Sequence, residues 1–135
     1  MLLIADDDQN SAQLTQRALK AAGIVEPVVY VRDGEAAIEF LANGSETPRL
    51  ALLDQNLPRR TGLEVLEWIR RESVMPTLPV LLLSGSDYDS DVQAAYLLGA
   101  NGYLVKPATY EATVEMAKAI QSYWLGVNRG PRPRG

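Results

Sequence analysis

Three short runs, Leu2-Leu3-Ile4-Ala5, Leu50-Ala51-Leu52-Leu53 and Val80-Leu81-Leu82-Leu83, are apolar at every position. A strand with one wet face alternates apolar and polar residues, whereas a strand covered on both faces does not. Each run stops abruptly at a polar residue, Asp6, Asp54 and Ser84 in turn. Pro27-Val28-Val29-Tyr30-Val31 and Tyr103-Leu104-Val105, rich in β-branched and aromatic residues, supply a second and a fifth strand.

Helical patterns fill the intervals. Asn10 or Ser11 is placed to cap a helix that runs to Ala22 and stops at Gly23. Asp33 starts a second, with Ala36, Ala37, Phe40 and Leu41 on one face and Asn43-Gly44 at its end. Leu63, Leu66, Trp68 and Ile69 share a helical face after the loop Leu57-Pro58-Arg59-Arg60-Thr61-Gly62. A short helix is expected from about Ser90 to Leu98 after the polar loop Gly85 to Asp91, and a last one after Thr109, with Val114, Ala117, Ile120 and Trp124 on one side. Strand and helix thus alternate five times, which predicts an α/β fold with a doubly wound parallel sheet. The 135 residues suit one domain, by the prior of ~100–200 residues each. The segment 126–135, rich in Gly, Pro and Arg, is expected to be disordered.

Two absences narrow the chemistry. The chain has no cysteine and no histidine. That removes thiolate sites, cysteine nucleophiles, Ser-His-Asp triads and histidine bases. Carboxylates, hydroxyls, lysine and a hard oxygen-bound metal remain. The net charge of −4 argues against nucleic acid as a partner. No apolar run approaches the ~20 residues of a membrane span, and the apolar start is too short for a secretory leader, so a cytoplasmic location is expected.

In an open parallel sheet, ligands bind outside the carboxyl ends of the strands. Asp6, Asp7 and Asp8 follow the first strand, Asp54 the third, Ser84 the fourth, and Lys106-Pro107 the fifth. Singly, these are helix caps, turn formers and solvated side chains. Together they bring carboxylates, a hydroxyl and an ammonium to one rim. Crowded carboxylates call for a cation, and Mg²⁺ needs only one or two of them plus water and phosphate oxygens. Asp54 is then a candidate nucleophile towards phosphorus, with Lys106 and Ser84 placed to stabilise phosphoryl oxygens.

With these residues in view, the sequence resembles a response-regulator receiver domain over residues 1–125. The resemblance rests on Leu3-Ile4-Ala5-Asp6-Asp7-Asp8, Leu52-Leu53-Asp54-Gln55-Asn56-Leu57-Pro58 with Gly62, Leu83-Ser84-Gly85, and Gly99-Ala100-Asn101-Gly102-Tyr103-Leu104-Val105-Lys106-Pro107. It implies a flavodoxin-like sheet of order 2-1-3-4-5 with five helices. It implies phosphorylation of Asp54 by a sensor histidine kinase, and Mg²⁺ (or Mn²⁺) held by Asp7, Asp54 and the backbone carbonyl of Asn56, with Asp6 acting indirectly or through water. Ser84 and Tyr103 match the switch residues, Lys106 the phosphoryl-binding lysine, and Pro107 a residue preceded by a cis peptide. Asp8 is given to helix capping, and Thr61 stands where the family often has Asp. Leu53 to Arg59 and Ala119-Ile120-Gln121-Ser122-Tyr123-Trp124-Leu125 are similar to small receivers paired with bacterial phytochrome kinases.

The resemblance makes the chain a phosphoacceptor signalling protein rather than an enzyme with its own substrate. No second domain is expected, so output passes through binding or onward relay. A homodimer through the fourth helix, fifth strand and fifth helix is expected, carried by Tyr96 with Tyr123 or Trp124. Two rivals fit less well. A haloacid-dehalogenase-type phosphatase would use Asp6 and Asp8, but Gln9-Asn10 replaces its Gly and Thr and Asp54 goes unexplained. A binding module that has lost phosphorylation would not need Asp7, Asp54, Ser84 and Lys106 together. A calcium loop at Asp87, Asp89 and Asp91 fails because Val92 and Leu98 stand where Gly and Glu are required.

Overall fold

The computed structural model describes residues 1–131. Five strands, β1 (Leu2–Ala5), β2 (Val28–Val31), β3 (Leu50–Asp54), β4 (Val80–Ser84) and β5 (Gly102–Val105), alternate with five helices, α1 (Gln9–Ala21), α2 (Gly34–Asn43), α3 (Gly62–Arg71), α4 (Asp89–Leu97) and α5 (Tyr110–Ala119). The strands form one parallel sheet in the order β2-β1-β3-β4-β5, as expected. Among the described residues no helix is long and apolar enough to cross a membrane.

The unbroken apolar runs have a direct cause. Successive side chains of a strand point to opposite faces, and both faces are covered. Leu3, Ala5, Leu53 and Leu82 pack with Val65, Leu66 and Ile69 of α3 on one side. Leu2, Ile4, Leu52 and Leu81 pack with Leu19 of α1 and Ala117 of α5 on the other. The central strands β1, β3 and β4 are buried throughout, while the edge strands β2 and β5 are only partly covered. The polar residues that end β1, β3 and β4 therefore emerge together at the carboxyl edge.

Two helix starts show how the site loops are fixed. Of the caps the sequence offered for α1, the structure uses Asp8, as the resemblance implied, and not Asn10 or Ser11; its carboxylate accepts the N–H groups of Asn10 at 2.9 Å and Ser11 at 3.2 Å. Thr61 and Glu64 form a reciprocal capping box at the start of α3, with both bonds at 3.2 Å. The residue that departs from the family pattern is thus a helix cap. At the other end of the chain, α5 continues as a π-helix over Ile120–Val127, closed by an Asn128 N–H to Tyr123 carbonyl bond. Gly126 and Val127 are helical, which corrects the expectation of disorder there, and residues 132–135 lie outside the described part. Trp124 packs on the α1/α5 core and meets Tyr123 edge to face.

Arg70, near the end of α3, clamps the far edge of the sheet. Its guanidinium donates to the carbonyls of Pro76, Leu78 and Gly99 and to Asn101 Oδ1, at 2.7–3.0 Å. Asn101 Oδ1 also accepts the Val80 N–H at 2.9 Å, so one side chain fixes the entries to both β4 and β5. Gly99 has φ +102°, and a Cβ there would lie 2.9 Å from Arg70 Nε. Arg70→Met leaves these acceptors without their donor and should cost about 2–3 kcal/mol. Arg70→Lys should recover less than half of the loss, because an ammonium cannot reproduce the planar fork. Urea denaturation of the three proteins checks both outcomes.

Candidate functional site

The carboxyl edge of β1, β3 and β4 collects the site. Asp54, the last residue of β3, is 3% exposed. Its Oδ1 accepts the Asn56 N–H at 2.9 Å, and its Oδ2 accepts from Lys106 Nζ at 2.5 Å. Asp6 is buried; its Oδ1 accepts the Asp8 N–H at 3.0 Å and its Oδ2 the Ser11 hydroxyl at 2.7 Å. Asp7 is exposed, and carboxylate oxygens of Asp6, Asp7 and Asp54 all lie within 4.8 Å of one another. Asp8 turns away to cap α1 and is not in this cluster. Carboxylate oxygens gathered this closely suit a hard divalent cation, which takes oxygen ligands.

Chain geometry allows the loop after Asp54 to fold tightly. The Gly62 N–H reaches the Gln55 carbonyl at 3.1 Å, and a Cβ at Gly62 would stand 2.5 Å from the Asp54 carbonyl oxygen. Any side chain there would push the loop off the strand end. Arg59 takes a left-handed conformation, φ 67°, and pairs with Asp33 and Glu35 at the start of α2. The Gly34 N–H, on the Pro58 carbonyl at 3.2 Å, joins the loop to the neighbouring βα unit, and the exposed ion pairs add little.

Lys106 leaves β5 with its N–H on the Ser84 carbonyl at 2.7 Å. Burial alone would depress its ammonium pKa. The Asp54 hydrogen bond and the charges of Asp54, Asp6 and Asp7 outweigh that, so the pKa lies above the ordinary lysine value. The Lys106–Pro107 peptide is trans, since no described peptide bond is cis. This corrects the expected cis bond. The trans chain already delivers Lys106 to Asp54, and trans is the lower-energy isomer for X–Pro by ~0.5–1 kcal/mol.

Ser84 is 2% exposed, and its Oγ accepts the Ser86 N–H at 3.1 Å. The Tyr103 ring packs against the core, and its hydroxyl donates to the Ser86 carbonyl at 2.9 Å. Asp6, Asp7, Asp54 and Lys106 therefore come together, with Ser84 and Tyr103 linked through Ser86. Asn56 meets Asp54 through its N–H. A cavity between α1 and α5, lined by Asn10, Leu14 and Met116, adjoins the site at Asp6 and Lys106.

Two contributors went unread in the sequence. Ser11 fixes Asp6, and its spacing of five from that residue is no recognised signal. Tyr30, on β2, has a buried hydroxyl with no partner. Burial and then the charge of Asp6 push its pKa up to about 12. An unfolded tyrosine ionises near ~10, so folding favours the protonated phenol. The Tyr30 contribution is full below that pH and lost as pH rises towards the folded value. Lys106 acts in the same direction. Absorbance titration of the tyrosinate band should show a step near pH 12 that disappears in Tyr30→Phe, and the variant should lose less stability between these two values.

Comparison with known proteins agrees with this geometry. Residues 2–118 match the response regulator receiver domain family. The chain is 36% identical to the probable methanogenesis regulatory protein FilR2 of Methanothrix harundinacea, over 98% of this chain and 88% of that one. It is 35% identical to the response regulator Rcp1 of Synechocystis, over 93% and 88%. The Mn²⁺-bound crystal structure of Rcp1 superposes with TM-score 0.87 at 34% identity, covering 97% and 98% of the two chains. The phosphorylated cyanobacterial phytochrome response regulator RcpA gives 0.89 at 32%, covering 97% of each. With the family match covering residues 2–118 and the sheet superposing on these solved receivers, the chain belongs to the response-regulator receiver family.

Proposed function

We propose that Asp54 accepts the phosphoryl group in this two-component response regulator, and that the donor is a phosphohistidine of a partner sensor kinase. The observation that carries this reading is the setting of Asp54. It is a buried carboxylate with one oxygen held by a backbone N–H and the other by Lys106, beside two further aspartates. A carboxylate oxygen of Asp54 attacks phosphorus, the new P–O bond forms as the P–N bond breaks, and the electron pair leaves on the donor imidazole. Lys106 moves from the carboxylate to a phosphoryl oxygen, and the Ser84 hydroxyl proton, unused in its bond to Ser86, donates to another. Mg²⁺ or Mn²⁺, held by Asp7, Asp54 and the Asn56 carbonyl with Asp6 through water, would supply the remaining neutralisation of phosphoryl charge. The likeness to Rcp1 and RcpA supports a phytochrome-type kinase as the donor.

Acetyl phosphate should phosphorylate the wild type only with Mg²⁺ present, as read by phosphate-affinity electrophoresis. Asp54→Ala should abolish the shifted band. Asp7→Ala should weaken Mg²⁺ binding by about tenfold or more, the equivalent of ~1.4 kcal/mol, and Asp8→Ala far less. An undiminished band in Asp54→Ala, or equal Mg²⁺ affinities in the other two, overturns the assignment.

The output reading is a twofold homodimer through α4, β5 and α5. Tyr96, Leu97, Val105 and Tyr123 are exposed there, whereas Trp124 is spent on the core. Homodimers are the commonest soluble oligomers, and large exposed apolar side chains mark such contacts. Sedimentation should show a dimer tightened by Mg²⁺ and beryllofluoride. Monomer at about tens of micromolar in both conditions, against an interface of ~−7 kcal/mol, contradicts it.

A further inference from the structure

Helix α4 is weakly held. Ala95 is its single fully buried residue, its apolar side chains do not gather on one face, and its cap residue Tyr88 offers no side-chain bond. An element with so little burial opens or shifts at low cost. What ties its first turn to the protein is Asp91. The Ser86 hydroxyl donates to Asp91 Oδ2 at 2.5 Å and accepts the Tyr88 N–H at 3.3 Å.

Ser86 is also where the two switch residues meet. Its N–H is on the Ser84 hydroxyl and its carbonyl holds the Tyr103 hydroxyl. Backbone N–H, backbone carbonyl and side-chain hydroxyl of one residue thus connect the phosphoryl-binding serine, the aromatic residue and the start of α4. Ser84 cannot turn towards a phosphoryl oxygen without dragging or releasing the Ser86 N–H. Ser86 cannot move without pulling on Asp91, because a short hydrogen bond to a carboxylate is roughly twice as strong as a neutral one.

We infer that Asp91 is a positioning residue of the switch, transmitting the movement of Ser84 through Ser86 into the first turn of α4. Asp91 touches neither the carboxylate cluster nor the phosphoryl oxygens; it sets where Ser86 stands and so where Tyr103 is anchored. Without it, α4 is uncoupled from the site and the site still accepts phosphate. This inference rests on Asp54 being the acceptor.

Hydrogen exchange of the full chain, followed by mass spectrometry with and without Mg²⁺ and beryllofluoride, tests it. In the wild type, the α4 amides should change exchange on adding the phosphoryl mimic. In Asp91→Ala and in Ser86→Ala that change should fall by about fivefold or more, the low end of couplings carried between two sites. Asp91→Asn keeps an oxygen that accepts the Ser86 hydroxyl and should retain most of the response. Acetyl phosphate should still phosphorylate all three. An α4 response in Asp91→Ala equal to that of the wild type, with phosphorylation intact, overturns the inference alone. A wild type that takes up no phosphoryl group overturns the acceptor assignment, and this inference with it. Should Asp91→Ala not fold, Ser86→Ala, which keeps the bonds of the Ser86 N–H and carbonyl to Ser84 and Tyr103, decides by the same criterion.

Discussion

The hydrogen-bonded ion pair between Lys106 and Asp54 organises the carboxyl edge of the sheet. A carboxylate as buried as Asp54 is costly unless it is paired and hydrogen-bonded. It receives one donor from its own loop and one from a strand two places away, across β4. Removing either partner of such a pair leaves an uncompensated charge, which is more damaging than never having had the pair. The fold therefore has a reason to keep β3, β4 and β5 in register at this edge. The Lys106 N–H on the Ser84 carbonyl is the backbone expression of that register.

Asp6 and Asp7 share one end of β1 but have different surroundings. Asp6 is buried and committed, with its two oxygens taken by Ser11 and the Asp8 backbone. Asp7 is exposed. Such a division leaves one carboxylate to shape the local field and another free to bind and release a cation. The same economy is seen at Ser84, whose lone pair is occupied while its proton is not. Lys106 and Ser84 thus stand at the same edge as Asp54 before any phosphoryl group arrives, the kind of prior placement on which electrostatic stabilisation depends.

The fold was legible because its strongest signals are local. Apolar runs of four residues without alternation, too short for buried helices, fit strands covered on both faces, and their abrupt polar stops marked the carboxyl edge that holds the site. Asp54, Asp7, Ser84 and Lys106 were readable for that reason. The misses are contacts between partners that sequence spacing does not pair. Nothing at Tyr30 tells of Asp6 on the next strand, and nothing at Ser86 tells that three of its groups are bound to three different elements. Asp8 was legible as the cap of α1, whereas the capping signal carried by Thr61 and Glu64 passed unread inside the loop. The π-helical extension to Val127 runs through Gly126, a residue that ordinarily ends helices, so composition pointed the other way.

The central claim is that one particular carboxylate of this edge takes the phosphoryl group. Borohydride reduces an aspartyl phosphate to homoserine and leaves free carboxylates untouched. Treating the Mg²⁺- and acetyl phosphate-loaded chain with borohydride, then mapping peptides by tandem mass spectrometry, locates the acceptor directly. The account predicts homoserine at position 54 alone; homoserine at position 6, 7 or 8, or none at all in a chain that carries phosphate, would contradict it.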